Sequence, residues 1–441
     1  MNRLPEKLPL GVWLAMGGLA LALAAAVPGA VEAPTGFDNK SNGMADDATH
    51  QADQAKFEEV EGVADGLGPL YNAQSCRECH QNPTTGGMSQ IAELRVGHLG
   101  PDGKFRNPEI PINRGSEIIK GRTLVNDRAI CPSGAFPDVE IQERAPDKDT
   151  IRTTRIALNL LGDGYIEALT DESLKELARE QCKTSGGKIC GRAIYVPVVE
   201  APGKAAIGRF GWKDQHASLL SFSGDAYFNE MGITNTLFPD EVTKLCNTVS
   251  EPNDSPAADG LSDIDHFARF VRASKPPARD AKLAATAKAK KGSELFDKTG
   301  CAVCHVRTFV TPAAGTAVNA GAFTVPAALG GKTFHPYSDF LLHDVKTGDG
   351  IVIPIVEHYG RAAARMPKEC TSGEFEKTRN RVRTPALWGV RLRTRLMHDG
   401  TSLTLTDAIR RHGGEADRAS DAFGRLGREE REAVLEFLRS L

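Results

Sequence analysis

The chain has 441 residues, room for roughly two or three domains, and its 54 Lys and Arg against 57 Asp and Glu give a formal charge of -3. With 40% hydrophobic and 25% charged residues it has a globular composition, which excludes a disordered, collagen-like or polytopic membrane chain. Mild acidity and only 6% aromatic residues give no basis for nucleic-acid binding.

Residues 8–31 (LPLGVWLAMGGLALALAAAVPGAV) are uncharged and follow Arg3 and Lys7, the pattern of a secretory signal. Val31-Glu32-Ala33 and Ala24-Ala25-Ala26 are candidate cleavage sites. If uncleaved, the run is long enough to anchor the chain in a membrane, the only membrane contact expected. Residues 1–33 are therefore read as signal peptide or anchor and the rest as exported, which in a bacterium means periplasmic. Residues 34–55 are small and polar, and read as a flexible lead-in. A first unit spans 56–273. Within it 171–180 (DESLKELARE) has helical periodicity, and 100–150, rich in Pro, Gly, Asp and Arg, reads as loop. Residues 274–283 (SKPPARDAKL) suit a linker. The second unit, 284–441, opens with a helix carrying Ala285, Ala289, Gly292 and Phe296 on one side. It closes with one carrying Val434, Phe437, Leu438 and Leu441 on one side. The fold class expected is mainly α with extensive loops.

Two segments fit C-x-x-C-H: Cys76-Arg-Glu-Cys79-His80 and Cys301-Ala-Val-Cys304-His305. Two thiols one helical turn apart can form thioethers with the two haem vinyl groups, and the adjacent histidine then faces the iron. A zinc site would not require histidine after both pairs, and a thioredoxin-like dithiol would need one pair in a βαβ setting. The expected cofactors are two covalently bound haems c. The other five cysteines, Cys131, Cys182, Cys190, Cys246 and Cys370, sit in no motif. Some should pair in an oxidising compartment, Cys182 with Cys190 most simply, and one should be left over.

The second axial position of each iron separates electron transfer from catalysis. In 404–414 (TLTDAIRRHGG), Thr404 and Asp407 resemble a capping box and Gly413 a stop. Leu405, Ala408, Ile409 and His412 share a face, so His412 is either a core histidine or a ligand. His98, eighteen residues beyond His80 in RVGHLG, is placed to fold back over the first haem.

DGLGPLYNAQSCRECH (65–80), GRFGWKDQHASLL (208–220), NEMGIT (229–234), PYSDFLLHD (336–344) and RTPALWGVRLRTRLMHDGTSLTLTDAIRRHGGEA (383–416) resemble the di-haem oxidoreductase, putative peroxidase family. That family is a branch of the superfamily of bacterial di-haem cytochrome c peroxidase. The resemblance implies two cytochrome c-like domains with one haem each; calcium between the domains is known in the superfamily, but no ligand set in this sequence marks it. The resemblance also implies residue roles. His412, fourteen residues beyond His398 of Leu396-Met397-His398-Asp399-Gly400, takes the position of the distal ligand to the second-domain haem. Histidine there departs from the methionine of the peroxidases, and implies a bis-histidine haem of lower potential. Val96-Gly97-His98 resembles the distal histidine segment of the first haem. Glu230-Met231-Gly232 matches the acid that assists peroxide cleavage. The glutamine preceding that acid in the peroxidases has no equivalent here, Ser221-Phe222 standing in its region. Trp212 is either a core residue or a bridge between haems.

The resulting expectation is a peroxidase-like di-haem oxidoreductase. A small redox protein of cytochrome or cupredoxin type would feed the second haem, and peroxide or another small oxidant would react at the first. Two alternatives stay open: a pure electron-transfer cytochrome with both irons bis-histidine ligated, and an oxidase of an organic or protein substrate.

Overall fold

The computed structural model describes residues 29–441. The apolar run at 8–31 lies almost wholly outside these residues. Its last part does not: Val31–Glu32 forms a short strand parallel to Lys332–Thr333, with Val31 N–H donating to the Gly331 carbonyl at 3.0 Å. Among the described residues no helix is long and apolar enough to cross a membrane.

The mainly helical expectation needs correction. Thirteen α-helices lie among the described residues, but helix accounts for 33% and strand for 14%, the strands forming seven small sheets. The largest sheet brackets the stretch 100–150 read as loop, with two short strands inside it. Ala92–Leu99 pairs antiparallel with Ile151–Ile156 from Ala92↔Ile156 to Gly97↔Ile151, and the short strands Phe105–Arg106 and Leu124–Val125 also pair with it. Charged residues in ELR and IRTTR hide the alternation, because Glu93, Arg95 and Arg155 lie together on one face of the sheet and are drawn into the interior there, while Arg152 on the other face is exposed.

The flexible lead-in is corrected too. Asp47–Glu58 is a helix, capped by Asp46, whose carboxylate accepts the Thr49 N–H at 2.9 Å. Phe57 packs against Phe267 and Phe270, at ring separations of 5.9 and 5.0 Å. Asp53 accepts both Arg269 Nε (2.6 Å) and Nη2 (2.7 Å). The segment looks disordered by composition because its polar side chains find partners far along the chain.

The helix expected at 171–180 runs Asp171–Thr184, capped by Thr170. Leu219–Met231 starts at a Ser218 cap and ends at Gly232 in the left-handed region (φ 70°), which aims the chain after Glu230 back toward Leu70. The opening helix of the second unit is Ala287–Lys298, with Ala289, Gly292 and Phe296 buried; Ala285 lies outside it and is exposed. It packs against Arg428–Arg439 so closely that a Cβ on Gly292 would lie 1.8 Å from the Ala433 carbonyl oxygen.

The two predicted units interlock. One apolar cluster joins Phe57, Tyr165 and Phe267 to Phe334 and Trp388, and Tyr165 and Phe334 lie 5.9 Å apart. Arg383 donates to the Arg209 carbonyl at 2.7 Å, and Lys213 pairs with Asp349 at 2.8 Å. Disulfides join Cys131 to Cys246 and Cys182 to Cys190, and Cys370 is buried and free.

Candidate functional site

Two cavities carry the two Cys-His motifs. The turn Cys301–Val303 follows Gly300, whose φ of 91° lets the chain fold back off the preceding helix. His305 then donates from Nδ1 to the Tyr337 carbonyl at 2.9 Å, and His412 donates from Nδ1 to the Ala408 carbonyl at 2.7 Å. A carbonyl only accepts, so in both rings the proton sits on Nδ1 and Nε2 presents a lone pair. The two rings face one another with centroids 6.4 Å apart. Two imidazoles holding one metal from opposite sides through bonds of ~2.0–2.1 Å set their centroids about 6.3 Å apart. Burial, and then His412 itself, push His305 down to about 4, and burial lowers His412, so both are neutral, the metal-binding form.

A cavity surrounds this pair. Phe296, Leu387, Val390, Leu405, Ile409 and Val434 give it apolar walls, and Arg383, Arg393 and Arg418 reach its edge. An apolar slot with cations at its edge fits a porphyrin and its carboxylates. His343, also in the wall, is clamped between Asp339 and Glu415, at 2.9 Å to each.

The other motif is a single helical turn, Cys76–Cys79, with His80 at its end. His80 Nδ1 lies 3.3 Å from the Gly87 carbonyl, and burial pushes the ring down to about 4, so it is neutral. All four cysteines of the two motifs are outside disulfides. The adjoining cavity is the more polar of the two: Asn72, Glu93, Arg95, Gln215, Asp225 and Glu230 line it, and among the described residues His80 is the one histidine in its wall.

Glu230 ends the helix Leu219–Met231 and accepts Asn72 Nδ2 at 2.8 Å. Its carboxyl faces that of Glu93, which Arg95 Nε contacts at 2.5 Å. Burial, reinforced by the Glu93 charge, pushes Glu230 well above the usual carboxyl range. Burial also acts on Glu93, but the Arg95 guanidinium outweighs it and holds Glu93 down. The pair thus carries one proton, on Glu230. Arg95 is itself fixed by Glu357 and by Thr123 Oγ1 at 3.0 Å.

His98 is not in this cavity. It sits in the strand Ala92–Leu99 rather than in a loop folded over the haem, and its Nδ1 lies 2.6 Å from Asp149 Oδ1. Side chains alternate along a strand, so Glu93 and Arg95 share one face and His98 belongs to the other. Those two residues, with Gln215, were not singled out from the sequence. A charged pair at i and i+2 in a strand was the available signal.

Trp212 lies in the walls of both cavities. It is buried, its Nε1 donates to the Ile156 carbonyl at 2.8 Å, and its ring meets His398 edge-on at 6.1 Å.

A comparison with curated proteins gives no match. Among solved structures, hydrazine synthase of Kuenenia stuttgartiensis, determined under 20 bar xenon, is 16% identical over 100% of this chain and 96% of that one, with a TM-score of 0.38, a likeness too slight to carry an argument. The family described as "di-haem oxidoreductase, putative peroxidase" matches residues 135–441, which include Glu230, the second Cys-His motif and His412. With most of its length so matched, and two cavities each built around a Cys-His motif, this chain belongs to the di-haem oxidoreductase family.

Proposed function

We propose that this protein is a periplasmic di-haem c-type oxidoreductase of peroxidase type. Cys301, Cys304 and His305 would hold a haem able to take electrons from a small redox protein, a cytochrome or cupredoxin, and Cys76, Cys79 and His80 would hold a haem able to reduce peroxide. The observation that supports this reading is the asymmetry of the two cavities. Beside His305 a second imidazole, His412, stands opposite across an apolar slot; beside His80 stands a polar chamber with a protonated carboxyl and no second histidine. When bound, the haems supply the redox chemistry, electron storage in the first case and reduction of peroxide in the second.

The chain's own residues do the rest. His305 and His412 would hold the second iron through their Nε2 atoms, and His80 the first from one side. Glu230 keeps a proton on its carboxyl for the departing peroxide oxygen, and Asn72 orients that carboxyl. Glu93, fixed as an anion by Arg95, stands beside Glu230 to take part in its reprotonation. Trp212 spans the wall common to both cavities and supports a short path for electrons. A cytochrome with two bis-histidine irons would need a second imidazole in the chamber beside His80, and His98 does not line it.

Electron paramagnetic resonance of the holoprotein, fully oxidised and half-reduced, tests the reading. The expected result is one low-spin bis-histidine signal, and a second iron with an open position that reacts with peroxide. Two low-spin irons in every redox state, inert to peroxide, would overturn it.

A further inference from the structure

A second group of metal-ligating side chains lies outside both Cys-His motifs. His216 comes from the loop after Trp212, Asp225 from the helix Leu219–Met231, and His358 from the short helix Ile355–Tyr359. They are 0%, 5% and 2% exposed. His216 Nε2 lies 3.2 Å from Asp225 Oδ2, and His358 Nδ1 lies 3.0 Å from Asp225 Oδ1. One ligating atom from each residue falls within 4.8 Å of the others. The two imidazoles stand nearly perpendicular, 5.7 Å apart.

An independent observation points to a ligand. Neither ring nitrogen of the fully buried His216 makes a hydrogen bond. The approach to Asp225 is near enough for attraction but misaligned for donation. A buried polar group without a partner costs about 1–3 kcal/mol, so natural cores rarely keep one. Asp225 is also steadied from behind, because Asn229 Nδ2 donates to its Oδ1 at 2.8 Å and to the Glu357 carbonyl at 3.1 Å. An orienting bond of this kind is what a carboxylate ligand receives from its surroundings.

We propose that His216, Asp225 and His358 bind one divalent first-row transition ion, zinc or ferrous iron, beside the His80 cavity, whose wall Asp225 shares. Two imidazoles and one carboxylate suit both ions and leave positions open for water or a small ligand. Asp225 itself lines the cavity that holds Glu230 and His80, so those open positions have a route to it. The site does not depend on the haem assignments.

The test uses the full-length di-haem protein, stripped with a chelator. It is dialysed against zinc chloride or, without oxygen, ferrous ammonium sulfate, and metal is counted by mass spectrometry against haem. One zinc, or one iron beyond the haem iron, is expected per chain. His216→Ala and His358→Ala should each weaken uptake by more than about tenfold with the haem count unchanged. Asp225→Asn, nearly isosteric, should do the same with the melting temperature retained, which separates lost ligation from misfolding. Wild-type protein that takes up neither ion, or variants that bind as the wild type does, would overturn the proposal.

Discussion

A carboxyl that keeps its proton at neutral pH needs a physical reason, and Glu230 has two: burial, and the fixed negative charge of Glu93 beside it. Glu230→Gln keeps the shape and the Asn72 contact but removes the transferable proton. Peroxide turnover should fall by about 10²–10⁴-fold with both haems retained; steady-state kinetics at equal haem content checks this, and unchanged turnover rejects the role. Glu415 illustrates the opposite shift. Burial alone would raise it, yet His343 and neighbouring backbone N–H groups hold it at about 2. Its folded value lies below the unfolded one, so its contribution to stability is full above the ordinary carboxyl range and is lost as pH falls toward about 2. Glu415→Gln should therefore flatten the acid limb of a melting-temperature profile, and an unchanged acid limb would show that the contacts with His343 and Arg381 contribute nothing.

Among the elements, the contact between Ala287–Lys298 and Arg428–Arg439 rests on one missing side chain. Gly292 lets the Ala433 carbonyl approach where a Cβ would clash at 1.8 Å. Gly292→Ala should push the helices apart and destabilise the protein by about 1–3 kcal/mol, as overpacking does elsewhere; denaturant titration reads this directly. Both helices were legible in the sequence, since their apolar residues recur at helical spacing and packing follows that stripe. The strand Ala92–Leu99 was not. Its partner Ile151–Ile156 lies across a long, polar excursion, and a buried arginine and glutamate interrupt the alternation that would have revealed it. The direction of His98 is set by that strand and so was not legible either.

The whole molecule is bound together across the linker at 274–283. Phe57 and Phe267 share a core with Phe334 and Trp388, and the strand Val31–Glu32 pairs with Lys332–Thr333. Shared core of this kind couples the stability of the two sides. The holoprotein should unfold in one calorimetric transition, and a proteolytic nick within 274–283 should leave the fragments associated. Two separate transitions would show that the shared core is energetically weak.

By itself the sequence determined what is local: two Cys-His motifs, the Thr404 cap of the helix Leu405–Arg410, beyond whose end His412 lies, the apolar stripes of the helices Ala287–Lys298 and Arg428–Arg439, and the segments that identify the family. These are legible because capping and motif chemistry depend on residues a few positions apart. Tertiary structure alone decided which groups share a cavity: Glu93 beside Glu230, Trp212 in both walls, His98 turned toward Asp149, and His216 beside Asp225 and His358. Such neighbours come from distant parts of the chain. Their meeting is set by strand register and by the burial of large apolar surfaces, neither of which a short window of sequence encodes.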